Sequence, residues 1–217
     1  MIKLLIATKN HGKAKEFAEM LGGGGIDWID LAGLARDPGE VEETGHTFRA
    51  NACLKASQYA DRTGFWTLAD DSGLEVDALG GKPGVVSARW ARIHNAGQGD
   101  ADNNRLLLRQ LAAVPAEQRS ARFVCVLALS DPKGRIVLTA RDTVEGHLLR
   151  APRGANGFGY DPLFLVHALG KTTAELSSDE KHAISHRGKA LVRLKAMISP
   201  VLQAMSGRQQ KTEEAIG

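Results

Sequence analysis

Two long candidate strands joined by a short polar turn constrain the possible folds of this chain most strongly. The candidate strands are Ala121–Ser130 and Arg135–Glu145, and the turn between them reads Asp131-Pro132-Lys133-Gly134. Aspartate, proline and glycine favour tight turns, and two candidate strands separated by such a turn are typical of a hairpin. The sequence therefore predicts an antiparallel hairpin in the second half of the chain.

The first half of the chain alternates candidate strands with candidate helices. Lys3–Ala7 and Ile26–Leu31 are short apolar runs typical of strands, and Lys13–Leu21 between them places apolar residues at helical spacing. Thr47 can cap the next helix, and Trp66–Ala69 is a further strand that runs into a polar segment. This alternation followed by a hairpin predicts an α/β fold with a mixed sheet flanked by helices.

Neither an internal repeat nor a long linker divides the 217 residues. We therefore expect one domain over residues 1–205, followed by a polar and flexible tail over residues 206–217. Ser177 predicts the start of a short helix, because Glu180 three residues later completes a capping box. Ser185 can cap a longer helix after it, and Pro162–Val166 is one more candidate strand.

Composition excludes several classes of protein. The formal net charge is only +3, without a basic stripe, which argues against a nucleic-acid-binding surface. The apolar run at Lys3–Ala7 is too short for the core of a signal peptide, and the sequence has no apolar stretch long enough to span a bilayer. Cys53 and Cys125 stand far apart, as expected of reduced core thiols in the cytosol. We expect a cytoplasmic protein with no membrane partner.

The first candidate site is a polar turn between a predicted strand and a predicted helix. It reads Thr8-Lys9-Asn10-His11-Gly12-Lys13. Backbone N–H groups at a helix N-terminus point towards bound anions, and a lysine adds a positive charge. The spacing matches neither GxxxxGK[ST] nor GxGxxG. The turn is therefore a candidate phosphate site, and an ordinary polar turn is the alternative.

The second candidate site is acidic. Asp70 and Asp71 follow an apolar strand directly, and Glu42 and Glu43 lie in an acidic loop. Carboxylates at the end of a buried strand need water, a cation or a hydrogen-bond donor. Mg²⁺ suits one or two carboxylates together with substrate phosphates. A capped turn and a solvated acidic loop are the alternatives.

Aromatic and basic residues form the remaining candidates. Phe158 lies between Gly157 and Gly159 in Gly157-Phe158-Gly159-Tyr160-Asp161-Pro162, where its ring could stack on a base. Lys181 and the segment Ser185-His186-Arg187-Gly188 place basic groups at predicted helix starts, where cations oppose the helix dipole. A bound anion or a polar base explains them better than helix stability does.

The order of these motifs resembles one family closely. The chain contains, in sequence, a TxNxxK turn, EETG, NAxxKA, DDSGL, GxPGVxSAR, FGYDP and ExKxxISHRGxAL. This series is similar to the inosine triphosphate pyrophosphatase family, whose bacterial members are called dITP/XTP pyrophosphatases. The resemblance runs from Leu4 to about Leu194, and it departs at Lys9, where many relatives have glycine.

The resemblance implies a role for each matching residue. Glu43 and Asp71 would bind Mg²⁺, and Asp71 would also be the catalytic base that activates water. The residues implied in triphosphate, sugar and base binding are Thr8, Lys9, Asn10, His11, Gly12, Lys13, Lys55, Ser72, Phe158, Gly159, Tyr160, Asp161, Lys181, His186 and Arg187. The family fold implied is an elongated mixed sheet in two lobes with the nucleotide in a cleft between them, usually in a homodimer.

The implied reaction converts ITP, dITP or XTP to the nucleoside monophosphate and pyrophosphate. Hypoxanthine and xanthine have a carbonyl at position six, which can accept hydrogen bonds from Arg187 and His186. Adenine has an amino group there, so each donor left unpaired would cost roughly 1–3 kcal/mol. Guanine also has a six-keto group, and the motifs give no reason for its rejection.

Two alternative hypotheses on function explain fewer of these motifs. A Maf-like pyrophosphatase acting on other modified nucleotides would share the phosphate turn, but it gives no reason for FGYDP and SHRG together. A non-catalytic nucleotide-binding or RNA-binding protein would not need Glu43 and Asp71 together. Pyrophosphate release from dITP and from dTTP separates the three hypotheses.

Overall fold

The predicted hairpin is the longest pair of strands in the computed structural model, which describes residues 3–21 and 27–197. Its strands are β5, Ser120–Ser130, and β6, Ile136–Leu148, paired antiparallel from Ser120 opposite His147 onwards. The other strands are β1 Lys3–Ala7, β2 Asp27–Asp30, β3 Trp66–Val76, β4 Lys82–Pro83, β7 Phe164–Val166 and β8 Lys171–Thr172.

The strands form one mixed sheet. The order is β2-β1-β3-β5-β6-β7-β8, with β4 added beside β3. β1 pairs in parallel with β2 and β3, whereas the pairs from β3 to β8 along this order are antiparallel. The prediction of a mixed sheet in an α/β fold is therefore confirmed.

Six helices accompany the sheet in the part of the chain that the structure describes. They are α1 His11–Leu21, α2 Phe48–Thr63, α3 Trp90–Ile93, α4 Asp100–Gln110, α5 Ser178–Ile184 and α6, residues 186–197.

The helix starts follow the predicted caps. The Thr47 hydroxyl accepts a hydrogen bond from the Ala50 N–H at the start of α2. Ser177 and Glu180 form the predicted capping box at α5, and Ser185 Oγ accepts from the Gly188 N–H at α6. These contacts satisfy N–H groups that the first helical turn leaves unpaired.

Strand β5 lies at the centre of the core because helices cover both faces of the sheet there. Val126 and Ala128 face α2, where they pack with Ala52 and Ala56. Side chains on the other face, including Leu127, pack against α1 and α6. A strand covered on both faces should be a continuous apolar run, which is what the sequence shows from Phe123 to Leu129.

Strand β3 is longer than expected. The sequence predicts a strand over Trp66–Ala69 that ends before Asp70, but β3 continues to Val76. The prediction was wrong at this boundary, because β5 pairs with β3 along its whole length, including Asp71 opposite Val126. Asp70 and Asp71 are therefore held by a sheet rather than by a turn.

Smaller differences occur at other predicted boundaries. The strand predicted from Pro162 begins at Phe164, since Asp161–Leu163 forms a short 3₁₀ turn. The glycine run predicted to end α1 and the predicted tail over residues 206–217 lie outside the described residues. The extent of the domain, residues 1–205, stays a prediction. Over residues 3–21 and 27–197, none of the helices has both the length and the apolar character needed to cross a bilayer.

A glycine in β6 tests this packing away from the cleft. A Cβ atom at Gly146 would overlap the Leu165 carbonyl oxygen of β7 and lie 2.7 Å from Phe164 Cε1. Because a backbone atom must move, we expect Gly146→Ala to lower the free energy of unfolding by about 1–3 kcal/mol. Urea denaturation measures the change, with Arg141→Ala, an exposed position on the same strand, as the matched control. Equal midpoints for the two variants would contradict the packing described.

Candidate active site

One large cleft collects most of the polar residues singled out in the sequence. Its volume is about 810 Å³, and it opens where β1 ends and α1 begins. The predicted site residues that line it are Thr8, Lys9, Asn10, Lys13, Glu43, Lys55, Asp71, Ser72, Phe158, Gly159, Tyr160, Asp161, Lys181, His186 and Arg187. His11 and Gly12 are not part of the lining, although both belong to the same turn.

The turn after β1 is shaped by its own side chains. Asn10 Oδ1 accepts from the Lys13 N–H at 2.9 Å, and the Asn10 N–H donates to Thr8 Oγ1 at 3.2 Å. Gly12 supports the opposite wall, since a Cβ atom there would lie 2.5 Å from Phe158 Cδ1. The turn thus presents Thr8, Lys9 and Asn10 to the cleft, and its role as an anion site stays a prediction.

Two carboxylates and a lysine form the acidic part of the cleft. Lys55 Nζ lies 2.5 Å from Glu43 Oε1 and 3.5 Å from Asp71 Oδ1. Arg89 Nη1 approaches Glu43 Oε2 at 3.3 Å. Asp71 Oδ2 is buried and has no hydrogen-bond partner among the described residues. The unpaired oxygen belongs to a cleft-lining residue, so it can receive a cation or a proton.

The turn that presents Glu43 is tied to helix α2. The Gly45 N–H donates to Asn51 Oδ1 at 2.8 Å, and the Asn51 side chain is fully buried. A Cβ atom at Gly45 would lie 2.6 Å from Asn51 Oδ1, so the close approach requires glycine. The Asn51 side chain therefore holds the loop that carries Glu43.

The two cleft carboxylates differ in acidity. Burial raises the pKa of Asp71 to about 6, and Glu43 and Asp70 add to the effect, against the attraction of Lys55 and Lys13. Burial also acts to raise the pKa of Glu43, but Lys55 and Arg89 outweigh it and lower that pKa. Glu43 is thus a permanent anion near neutral pH, whereas Asp71 can exchange a proton there.

The donor set at this point fits Mg²⁺. The described residues contain no cluster of three or more histidine, cysteine or acidic side chains suited to a metal. Mg²⁺ does not need one, because it keeps several waters and takes one or two carboxylates plus substrate phosphates. Glu43 and Asp71 both line the cleft and would supply those two carboxylates.

Asp70, unlike its neighbour, faces away from the cleft and is fully buried. Lys13 pairs with one of its oxygens, and Arg187 Nε lies 3.2 Å from the other. Burial alone would raise its pKa, but Arg187 and Lys13 outweigh that effect and hold the pKa well below its ordinary value. Asp70 therefore anchors the cations of the cleft.

Glu16 joins a second group of buried charges. It pairs with Arg187 Nη1, and its other oxygen lies 2.7 Å from Lys181 Nζ. Lys181 also contacts Asp161 Oδ2 at 2.5 Å. Burial acts to raise the pKa of Glu16, but Arg187 and Lys181 lower it to about 2. The basic residues near the base pocket are therefore fixed by carboxylates of the chain itself.

Four rings of the cleft lining lie in different surroundings. Phe158 is half-buried and lies 4.9 Å from Lys181 Nζ. The His186 ring stacks on Phe123, with the ring centroids 5.0 Å apart. The Tyr160 hydroxyl donates to the Ser87 carbonyl at 2.9 Å. The ring of Tyr160 can face a ligand, but its hydroxyl is used within the protein.

The donors expected to read the base are partly engaged. Arg187 places Nε on Asp70, Nη1 on Glu16 and Nη2 on Ser72 Oγ, the last at 2.8 Å. Burial, followed by Arg187, lowers the pKa of His186 well below its ordinary value, so its ring is neutral with one N–H. His186 Nδ1 has no hydrogen-bond partner within the described structure. His186 thus has more free capacity towards a base than Arg187.

Several residues of the site were missed by reasoning from the sequence. The main ones are Glu16, Ser87, Arg89, Arg92, Asp100 and Asn103. Glu16 precedes Phe17 on the apolar face of α1, and an acidic residue on such a face is a usable sequence signal. Ser87 and Arg89 belong to a motif that was recognised without a role. Asp100 and Asn103 reach the cleft through tertiary packing, for which the sequence carries no local sign.

The raised pKa of Asp71 predicts a stability change with a defined pH dependence. Because the folded-state pKa lies above the ordinary 3.8, protonated Asp71 favours folding. That contribution is complete below about pH 4 and is lost as the pH rises through about 6. Asn at this position is always neutral, so Asp71→Asn should stabilise the metal-free protein by about 1–3 kcal/mol at pH 7.5.

Thermal unfolding in EDTA at pH 7.5 and pH 4 tests this expectation. The two proteins should unfold at similar temperatures at pH 4 and diverge at pH 7.5. Asn is nearly isosteric with Asp, so packing is matched. A variant that is less stable than the original chain at pH 7.5 would show that Asp71 is not strained by burial.

Comparison with known proteins agrees with the motifs. The chain matches the Ham1 family over residues 4–197. It is 51% identical over 201 residues to a protein of Exiguobacterium sibiricum named dITP/XTP pyrophosphatase, covering 93% of this chain and 99% of that one. A protein of Bacillus subtilis with the same name is 47% identical over 198 residues, covering 91% and 98%.

Solved structures show the same fold. A HAM1 protein from Coxiella burnetii superposes with a TM-score of 0.80 at 40% identity, covering 92% of this chain and 100% of that one. A dITP/XTP pyrophosphatase from Mycobacterium abscessus gives a TM-score of 0.69 at 43% identity, covering 89% and 98%. Since the family match spans nearly the whole chain and the cleft residues fall within it, the chain belongs to the Ham1 family.

Proposed function

We propose that this chain hydrolyses the deaminated purine nucleotides ITP, dITP and XTP to the nucleoside monophosphate and pyrophosphate. The observation that carries the proposal is Asp71, a buried cleft carboxylate with one unpaired oxygen and a pKa near 6, beside Glu43 and Lys55. Ham1 relatives named dITP/XTP pyrophosphatase, about half identical over nearly their full length, supply the substrate class.

The triphosphate would lie at the end of the cleft formed by the turn after β1. Thr8, Lys9 and Asn10 of this turn line the cleft, and so does Lys55. Charge-assisted hydrogen bonds from such groups to phosphate oxygens are stronger than neutral ones. The ammonium group of Lys13 forms an ion pair with Asp70, so its positive charge would attract the triphosphate without a direct hydrogen bond.

The metal proposed is Mg²⁺, held by Glu43 and Asp71 together with substrate oxygens. When bound, it supplies positive charge that stabilises the phosphate oxygens as pyrophosphate leaves. Lys55 pairs with both carboxylates and limits their mutual repulsion. Arg89 holds the second oxygen of Glu43 and so fixes the orientation of that side chain.

Asp71 is proposed as the general base. Its unpaired oxygen can accept a proton from a water that attacks the α-phosphorus. A pKa of about 6 leaves the carboxylate mostly ionised at neutral pH but basic enough to take a proton. Asp70 does not share this role, because its two oxygens are engaged by Lys13, Arg187, Ser72 and Cys125.

The base would stack on Phe158 with its edge towards His186 and Lys181. With its proton on Nδ1, the neutral His186 ring would donate a hydrogen bond that a six-keto group can accept and a six-amino group cannot. An unpaired donor in a desolvated pocket costs roughly 1–3 kcal/mol, which corresponds to roughly 5- to 150-fold in selectivity. Polar pockets of this type discriminate between purines more strongly than apolar ones do.

The family resemblance also implies a homodimer in the cytoplasm, with small-molecule nucleotides as its partners. We infer the same for this chain from its likeness to full-length relatives. Sedimentation of the purified protein measures the oligomeric state directly.

The substrate class is tested by pyrophosphate release in the presence of Mg²⁺. The expected result is rapid release from dITP and XTP, slow release from dATP, dGTP and dTTP, and no release after EDTA treatment. Comparable release from all five nucleotides would contradict the selectivity assigned to His186. Preferential release from dTTP would favour a Maf-like activity, and nucleotide binding without release would favour a sensor.

Replacement of the proposed base separates chemistry from binding. Asp71→Asn keeps the size of the side chain but removes proton acceptance, so kcat should fall by about 10²- to 10⁴-fold. The matched control is Asp142→Asn, a carboxylate on β6 that does not line the cleft. Steady-state kinetics with dITP measures both variants, and near-normal kcat in Asp71→Asn would rule out Asp71 as the base.

A further inference from the structure

The backbone N–H and carbonyl of Gly159 are each held by a side chain of helix α4. Its N–H donates to Asp100 Oδ2 at 2.6 Å, and its carbonyl accepts from Asn104 Nδ2 at 2.8 Å. Asp100 and Asn104 are four residues apart, so they lie on the same face of the helix. Both contacts join segments more than fifty residues apart in the chain. They form a two-point clamp on the residue that follows Phe158.

The orientation of the Asn104 amide suits this one contact. Its Oδ1 is buried without a hydrogen-bond partner in the described part of the chain, whereas its Nδ2 donates to the Gly159 carbonyl. The opposite amide orientation would place two acceptors, Oδ1 and that carbonyl, against each other. The Asn104 amide therefore donates to the Gly159 carbonyl although its own oxygen stays buried and unpaired, which makes it suited to hold that carbonyl.

The loop around Phe158 depends on such contacts because its backbone does not join the sheet. Gly157 and Gly159 have φ values of 75° and 61°, which other residues rarely adopt. Within the loop, the Phe158 N–H donates to Asp161 Oδ2 at 2.9 Å. The Phe158 carbonyl also accepts from the Asp161 N–H, at 3.2 Å. The contacts from α4 hold the next residue, Gly159, and so support the backbone that carries the Phe158 ring above Gly12.

Helix α4 is itself fixed to the segment that carries Arg89. Asn103 Oδ1 accepts from the Ala91 N–H at 2.7 Å, and its Nδ2 donates to the Ala88 carbonyl at 3.2 Å. The Trp90 indole donates to Gln110 at 2.9 Å. Arg89 in turn holds Glu43. The clamp therefore places the aromatic wall relative to the carboxylates on the other side of the cleft.

We propose that Asp100 and Asn104 are positioning residues for recognition of a purine base. They hold the backbone N–H and carbonyl of Gly159, and through that residue they position the Phe158 ring. Neither residue provides the chemistry. The inference rests on the proposed function, since the base bound is that of a purine nucleotide. In this proposal α4 affects binding of the base, whereas the turn after β1, which lines the same cleft, binds the phosphate groups.

The experiment compares a ligand that has a purine base and a phosphate with a ligand that has phosphate groups alone. Calorimetry measures binding of IMP and of inorganic tripolyphosphate, each with Mg²⁺. Asn104→Asp replaces the donor with an acceptor of equal size, so IMP affinity should fall about tenfold or more. Asp100→Ala should weaken IMP binding about threefold or more, whereas Asp100→Asn keeps an acceptor oxygen and should restore it.

Binding of tripolyphosphate should stay within about twofold in all three variants, because the clamp does not touch the phosphate turn. Arg105→Ala, an exposed neighbour on α4 outside the cleft lining, is the matched control for general effects on the helix. Equal losses for both ligands would overturn the proposal, since α4 would then act on the whole fold. Unchanged IMP binding in both Asn104→Asp and Asp100→Ala would overturn it as well.

Amide hydrogen exchange at Gly159 gives a readout that needs no nucleotide. Loss of the Asp100 acceptor should speed exchange of the Gly159 N–H in Asp100→Ala and leave it slow in Asp100→Asn. Unchanged exchange in Asp100→Ala would show that the clamp does not hold the loop. Failure of the proposed function would give a different result. The unsubstituted protein would release no pyrophosphate from dITP, while its Gly159 N–H would still exchange slowly.

Discussion

The pairing of Asp70 with Arg187 and Lys13 is the interaction on which the cleft depends. Asp70 lies in the middle of β3 at a fully buried position, where an unpaired carboxylate would be very unfavourable. Removal of one partner from a buried ion pair typically costs about 3–5 kcal/mol, because the other charge is left without compensation. The chain therefore has to bring α1 and α6 against the same face of β3. The cations that line the cleft are positioned by this requirement.

Neighbouring carboxylates on one strand take opposite roles because successive side chains of a strand point to opposite faces. Asp70 points to the face covered by α1 and α6, and the cations there hold its pKa well below the ordinary value. Asp71 points to the cleft, where burial raises its pKa to about 6. Pairs of acids with diverging pKa values commonly mark acid–base sites. The structural anchor and the proposed base are thus separated by one peptide bond and by the two faces of a sheet.

Much of the fold could be predicted from local patterns in the sequence. The β5–β6 hairpin was predicted from two candidate strands and a turn, and the starts of α2, α5 and α6 from residues that cap helices. The end of β3 could not be placed, because only pairing with β5 keeps Asp70 and Asp71 in a strand. That pairing joins positions more than fifty residues apart, and nothing in the local sequence announces it.

The candidate site was predicted from motifs rather than from periodicity. The motifs identified most residues of the cleft, including Asp71, Glu43 and Lys55, but not what each side chain contacts. Lys13 and Arg187 were expected to face the nucleotide freely, whereas carboxylates of the protein hold them. Glu16, the partner of both Arg187 and Lys181, received no role, since its importance arises only when α1, α5 and α6 meet.

These fixed cations explain how a cleft rich in positive charge remains stable in the absence of substrate. Arg187 and Lys181 would repel each other in a buried site, but Glu16 lies between them and contacts both. Lys55 is balanced in the same way by Glu43 and Asp71. Preorganised charges need little rearrangement when an anionic substrate arrives, and such preorganisation is usually the largest electrostatic contribution to catalysis. The unpaired oxygen of Asp71 is an exception, because its burial costs stability in the free protein. A proton or a cation is the natural partner of that oxygen, so this cost falls on the group proposed for the chemistry.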